Sequence, residues 1–286
     1  MRRLFLALLL ATAAVSAVEV QLVFDDKADE EKLKAFGARS VELIKEWEPK
    51  IAVVLGTAEA KRPKQITVRF KDMDGVAFWD GKAITISTRY ASKHPDDVML
   101  VVHELTHVLQ GYRKIPSWMT EGIADYVRFG IAEEGKFGIR IDPVKNKPRD
   151  SYRVTGYLIL QAEKRQLGLV KKLHIAGVSG GEVEKVWSEH CGQTIDETWA
   201  EVVPAKTSDG LWTQLGAAID ADDYATALVL TKAYAEHPEF AAQPVERRDA
   251  ATILLGLLYA NEGQDIAALP CVLPPPWASL RVKIEQ

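Results

Sequence analysis

"HELTHVLQGYRKIPSWMTEGIADY", residues 103 to 126, sets two histidines, two glutamates and an aspartate among mostly apolar neighbours. On an α-helix, side chains four residues apart lie about 40° apart around the axis, so His103 and His107 project from one face and can reach a single ion. Glu104, one position on, lies beside that ion but is turned from direct ligation, which suits a base acting on a metal-bound water. The surrounding "VMLVVHELTHVLQGY" (98 to 112) is apolar nearly all round. In so buried a helix an unpaired imidazole or carboxylate would cost several kcal/mol, and a bound zinc ion removes that cost.

Catalytic zinc generally takes three protein ligands and keeps a fourth position for water. Glu121, on the next helix after a short turn, is the candidate for the third. Gly122 beside it permits close backbone approach, despite a helix-weakening cost of about 1 kcal/mol. Asp125 falls one turn after Glu121 and is placed to accept the other N–H of His103. Two alternatives stay open for it, an ordinary surface aspartate and the third ligand itself. A third histidine at metzincin spacing would fall at Arg113, which cannot ligate zinc.

Outward from this stretch, "VEVQLVF" (18 to 24) and "QITVRF" (65 to 70) alternate as strands do. "GVAFWDGKAITIS" (75 to 87) reads as a hairpin, with Asp80-Gly81 as the pair that a tight primed turn prefers. Residues 28 to 55 recur with helical period, and Pro49 is expected to end or kink that helix. Helices are predicted over 97 to 111 and 117 to 131, the second opened by Pro116 with Ser117 as N-cap. Others are predicted over about 151 to 166, 181 to 190 and 195 to 203, with "FGIRID" (137 to 142) as a short strand. A polar break near Thr207 to Gly210 marks a boundary. Beyond it, 211 to 263 form alanine- and leucine-rich helices, faintly like a tetratricopeptide unit but too few for a repeat array. The fold class is therefore α+β with a small mixed sheet, plus a C-terminal all-helical appendage closed by "LPPPW" (273 to 277).

The start, "MRRLFLALLLATAAVSA", has the anatomy of a cleaved secretory signal, with cleavage expected after Ala17. A membrane anchor would need about 20 apolar residues, more than this run supplies. "RRLFL" leaves twin-arginine export open beside the general route. The domains expected are 1–17 signal, 18–206 catalytic and 207–286 helical appendage, and the location is secreted or periplasmic. Without Arg2 and Arg3 the chain has 34 basic against 40 acidic residues, a formal charge of −6 instead of −4. That balance excludes a nucleic-acid footprint. No later segment reads as a membrane span. Cys191 and Cys271 could form one bridge in an oxidising compartment, and the sequence leaves this open. "DMDG" (72 to 75) lacks the downstream glutamate of a calcium loop and reads as a turn. His94, His174, His190 and His237 read as non-ligands.

The stretch resembles the gluzincin-type zinc metallopeptidases, in which HExxH precedes a helix bearing W-x-x-E-G-x-A and a later aspartate. Here these are His103, Glu104, His107, Trp118, Glu121, Gly122, Ala124 and Asp125. A closer resemblance is to the basic secretory protein peptidases of plants and bacteria. It is carried by "GVAFWDGKAITIS", "VVHELTHVLQGY", "PSWMTEGIADYVR", "SYRVTGYLI" and "CGQTIDETWAEV", in order over roughly residues 20 to 205. The spacing from His107 to Glu121 is shorter than in thermolysin-like enzymes, and the chain is acidic despite that family's name.

The resemblance implies a zincin-like catalytic domain, Zn2+ as cofactor and hydrolysis of peptide or protein substrates. Tyr152 matches a tyrosine shared by the family and would donate to the oxyanion. Tyr157 and a purely structural Tyr152 are the alternatives. "AFWDG" (77 to 81) resembles the edge strand on which such enzymes align extended substrate, so Ala77 and Trp79 would line the cleft. No G-x-M-E-N segment for gripping a free amine is present, which favours an endopeptidase. The competing reading is a zinc-binding but non-catalytic scaffold that docks a protein partner on its C-terminal helices. A metal-free structural role is a third.

Overall fold

Strand β1 (Glu19–Phe24) leads into the long helix α1 (Lys27–Leu55), which returns the chain to β2 (Gln65–Lys71), parallel to β1 with Glu19 opposite Gln65. The computed structural model describes residues 18–112, 114–134, 136–138, 141, 146–150, 152–203 and 207–261. The proposed leader and "LPPPW" therefore lie outside the described residues, as do Ile139, Arg140 and Asp142 of "FGIRID", whose Phe137, Gly138 and Ile141 form coil. The chain forms two compact units, Met1–Gly111 and Tyr112–Gln286.

The first unit holds the sheet, ordered β1-β2-β4-β3. β4 (Ala83–Ser87) runs parallel to β2, and the short β3 (Ala77–Trp79) pairs antiparallel with β4 at the edge. All five residues of β4 are buried, as expected of a strand covered on both faces. In β2 only alternate residues face inward, and Ile66, Val68 and Phe70 are each no more than 2% exposed. Phe70 stacks on Phe24 at 4.7 Å and meets Phe36 of α1 edge-on at 6.0 Å. Offset and edge contacts of this kind add to the burial of the rings.

The β3–β4 hairpin forms as read, but the turn is built differently. Gly81 takes φ 90°, while Asp80 is not among the residues at positive φ. The central pair is therefore Gly81-Lys82, with one left-handed residue instead of the two that a type I′ turn needs. Asp80 acts through its side chain, whose Oδ1 accepts from the amides of Lys82 and Ala83 at 2.8 Å each. Those amides, Ala83 first, hold its carboxyl below the usual range. Asp72 and Asp74 of the neighbouring turn both pair with Arg89.

Pro49 does not end α1. The helix continues through it to Leu55 and stops at Gly56, in left-handed conformation at φ 70°. Ile51 and Leu55 are fully buried and Ala52 is 4% exposed. Packing of this last stretch outweighs the cost of about 3 kcal/mol for an interior proline. Just before the proline, Glu48 is buried and takes Nε of Arg62 at 2.8 Å and its Nη2 as well.

Helices α2 (Thr88–Lys93) and α3 (Leu100–Gln110) complete the first unit. The second is helical: α4 (Ser117–Asp125), α5 (Tyr152–Arg165), α6 (Leu169–Ser179), α7 (Val183–Cys191) and α8 (Ile195–Val202). Then come α9 (Ser208–Asp220), α10 (Tyr224–Ala235) and α11 (Val245–Asn261). The last three share a core of Leu211, Leu215, Leu230, Tyr234 and Leu254, which also takes in Ala200 of α8. Among the described residues no helix is long and apolar enough to cross a membrane.

Helix α6 was not expected from the sequence. Its Gly177 faces Ile115 and Tyr112, and an added Cβ would lie 2.5 Å and 2.7 Å from them. One turn earlier, His174 is 4% exposed, with its ring 5.6 Å from that of Tyr112. Burial pushes the His174 imidazole down to about 4. The unfolded chain, with an ordinary histidine near 6.5, binds the proton more readily, so stability is full above that pH and falls towards 4. The expected loss is up to about 3 kcal/mol. Urea unfolding of the wild type and His174→Gln at pH 7 and pH 4.5 checks this: the variant should show a shallower pH dependence, and equal slopes would count against it.

Candidate metal centre

Helix α3 presents the two histidines because its other positions are committed to the core. Leu100, Val101, Val102, Leu105 and Leu109 are each at most 5% exposed, and the Thr106 hydroxyl is satisfied by the Val102 carbonyl at 2.8 Å. Gly111, at φ 52°, closes the helix in the left-handed conformation. His103 and His107 are half-buried, and Glu104 between them is 7% exposed. The two rings stand nearly perpendicular, at 84°, with centroids 4.8 Å apart.

The Nε2 atoms of the two histidines are 3.1 Å apart, and Nδ1 of His107 lies 2.7 Å from Oε1 of Gln110. With Nδ1 of His107 donating to that amide oxygen, its Nε2 keeps a lone pair free to bind a proton or a cation. An N–H···N hydrogen bond between the rings or a shared cation each accounts for that approach. Two nitrogens bound to one tetrahedral zinc at 2.0–2.1 Å lie about 3.3 Å apart, close to the spacing observed. Gln110 is a residue the sequence reading missed, although its place three positions after His107 was the available signal.

Glu121 and Asp125 lie one turn apart on α4, Glu121 half-buried and Asp125 4% exposed. Asp125 is thus no surface aspartate. Pro116, not Ser117, is the N-cap residue, and no side chain caps the helix. Proline's fixed φ and missing N–H suit a helix start without a capping hydroxyl. A Cβ on Gly122 would fall 2.5 Å from Cγ2 of Thr155, and one on Gly156 would fall 3.1 Å from Cβ of Asp125. The close approach that Gly122 permits is therefore to α5, where Gly156 reciprocates it. After Asp125 the helix widens into a π-helical segment (Tyr126–Ala132). The bond from the Glu133 amide to the Arg128 carbonyl, 2.7 Å, spans five residues as a π-turn requires.

His103, His107 and Glu121 each offer one ligand atom, and these three atoms lie within 4.8 Å of one another. Among the described residues this is the group of three or more histidine, cysteine or acidic side chains that could hold a metal ion. Two imidazole nitrogens and a carboxylate are a donor set that zinc accepts.

A model of the BSP family, described as peptidases of plants and bacteria, matches residues 12–202. The chain belongs to this family. No curated protein and no solved structure matches it. The matched region of this BSP peptidase ends with α8 and includes every candidate site residue; α9, α10 and α11 follow it. The family's activity gives the protein a peptidase role and a peptide or protein substrate.

The remaining candidates divide by exposure. Tyr152 opens α5 and is 52% exposed, whereas Tyr157 is half-buried and meets Phe137 edge-on at 5.9 Å. Ala77 and Trp79 are half-buried on one face of the edge strand β3, and Phe78 between them is 46% exposed on the other. Near the end of the matched region, Thr194 and Glu197 form a reciprocal capping box that starts α8. Among the described residues Cys191 has no disulfide partner, and Cys271 lies outside them; burial first, and nearby Glu163, raise the pKa of the Cys191 thiol.

Proposed function

We propose that this BSP-family peptidase is an exported zinc endopeptidase of zincin-like architecture, with residues 18–206 as its catalytic domain and 207–286 as a helical appendage. The observation that carries the metal reading is the convergence of His103, His107 and Glu121, whose ligand atoms lie within 4.8 Å. The 3.1 Å approach of the two Nε2 atoms supports it further. When bound, zinc supplies Lewis acidity, polarising a carbonyl oxygen and acidifying water.

The chain's own groups do the rest. Glu104 takes the proton from the attacking water and hands it to the leaving amine. Asp125 orients His103, and Tyr152 donates its phenol proton in a hydrogen bond to the developing oxyanion. The edge of β3, with Ala77 and Trp79, aligns extended substrate through backbone hydrogen bonds. Such recognition depends little on side chains, which fits an endopeptidase of broad sequence tolerance. The apolar leader would carry the protein out of the cell.

Residues 18–286, purified without added metal, are expected to hold one zinc per chain and to cleave unfolded casein internally. A chelator should abolish cleavage and added zinc restore it. Undiminished cleavage by zinc-free protein would sink the reading, and stepwise N-terminal trimming by mass spectrometry would overturn the endopeptidase assignment.

A further inference from the structure

Arg149 lies three residues ahead of Tyr152, in the segment that enters α5. Its guanidinium grips two helices at once. Nε and Nη2 donate to the two carboxylate oxygens of Glu184 at 3.1 Å and 2.9 Å, and Nη1 donates to both oxygens of Asp196 at 2.9 Å. Glu184 is in the first turn of α7 and Asp196 in the first turn of α8. Cζ of the same group lies over the ring of Trp118, 5.5 Å from its centre and three residues before Glu121 on α4. A planar fork that binds two carboxylates while its cation sits over an aromatic ring is something lysine cannot reproduce.

The segment around Arg149 is closed on itself. The Lys147 amide donates to Asp150 Oδ2 at 2.8 Å, and the Asp150 amide returns to the Lys147 carbonyl at 3.2 Å. The Pro148 carbonyl accepts the hydroxyl of Thr155 at 2.7 Å, and Thr155 is the residue packed against Gly122. One side chain therefore ties the first turn of α4 and the first turns of α7 and α8 to the segment from which Tyr152 emerges. Its partners are about 35 and 47 positions away in sequence.

We propose that Arg149 is a positioning residue for peptide hydrolysis, fixing the start of α5, and with it Tyr152, against the helix that carries Glu121. The inference rests on the zinc peptidase reading given above. With its side chain 32% exposed, and those of Glu184 and Asp196 51% and 38% exposed, the ion pairs add little to stability. The cost of losing them falls on rate, since a displacement of about 1 Å at a reacting group can cost about 10²-fold.

The test compares the wild-type chain with Arg149→Met, Arg149→Lys, Tyr152→Phe and the double variant Arg149→Met/Tyr152→Phe. Arg165→Met is the control, because Arg165 joins α5 to Glu201 of α8 at 2.8 Å near the far end of the helix. Zinc content, thermal unfolding, kcat and KM on a peptide substrate are read for each. Arg149→Met is expected to lower kcat by about 10²-fold with KM changed less than about threefold. Zinc should stay at one per chain, and Arg149→Lys should restore less than about a tenth of the lost rate. Arg165→Met should match the wild type in kcat, and the double variant should be no slower than Tyr152→Phe alone. Unchanged kcat in Arg149→Met, loss of its zinc or fold, or fully additive losses in the double variant would each overturn the role. A wild-type chain that cleaves nothing would mean instead that the peptidase reading fails, and the role of Arg149 with it.

Discussion

Glu104→Gln is expected to lower kcat/KM for an unfolded protein substrate by about 10²–10⁴-fold, the range that loss of a positioned general base commands. Glutamine keeps the shape of the side chain, and with it the packing of a group that is only 7% exposed on α3. It cannot take a proton from water at neutral pH. Neither ring of the histidine pair is touched, so the variant should purify with one zinc per chain. Zinc analysis and steady-state kinetics on the same sample separate the two contributions. A variant with full zinc and wild-type rate would place the base elsewhere; one that loses its zinc would make Glu104 part of the metal's hold.

The second large effect concerns the acidic pair on α4. Glu121→Ala removes a direct ligand on the proposed reading, and the purified variant should retain almost no zinc after dialysis and show no detectable cleavage. Asp125→Asn, which on the same reading alters only the partner of a ligating histidine, should weaken zinc binding by about 10–100-fold and leave measurable activity at saturating metal. The comparison decides between the two carboxylates. If Asp125→Asn strips the metal and Glu121→Ala does not, Asp125 is the third ligand.

How much of this was legible in the sequence follows from the range of the interactions. The α3 helix and the β3–β4 hairpin are fixed by residues within a few positions of one another, namely the apolar run around His103 and the Asp80-Gly81 pair, and both were read. Even there the turn's central pair slipped by one residue, because Asp80 works through its carboxylate and not through its backbone angles. The helix end that Pro49 suggested does not occur, because local propensity argued for it while the deciding term was burial of Ile51 and Leu55. Helix α6 was missed because Gly177 and the glycine pair after Ser179 look like loop. In the fold Gly177 is the only residue small enough for its contact with Tyr112 and Ile115. The pairs Glu48–Arg62 and Arg149–Asp196 join residues about 14 and 47 positions apart, beyond any periodicity. The π-helical turn after Asp125 gave no pattern to read.

The shortness of β3 sets a scale for whatever it meets. A three-residue strand at about 3.3 Å per residue is about 10 Å long. Its outer edge can register roughly three residues of an extended chain before the Asp80 turn bends the template away. A protein gripped over so small a footprint needs to fray at only one spot to be engaged. On the proposed function, the sites that yield first would be exposed loop tips and worn termini of otherwise folded proteins, so that local looseness of the victim, more than its composition, would decide where it is cut.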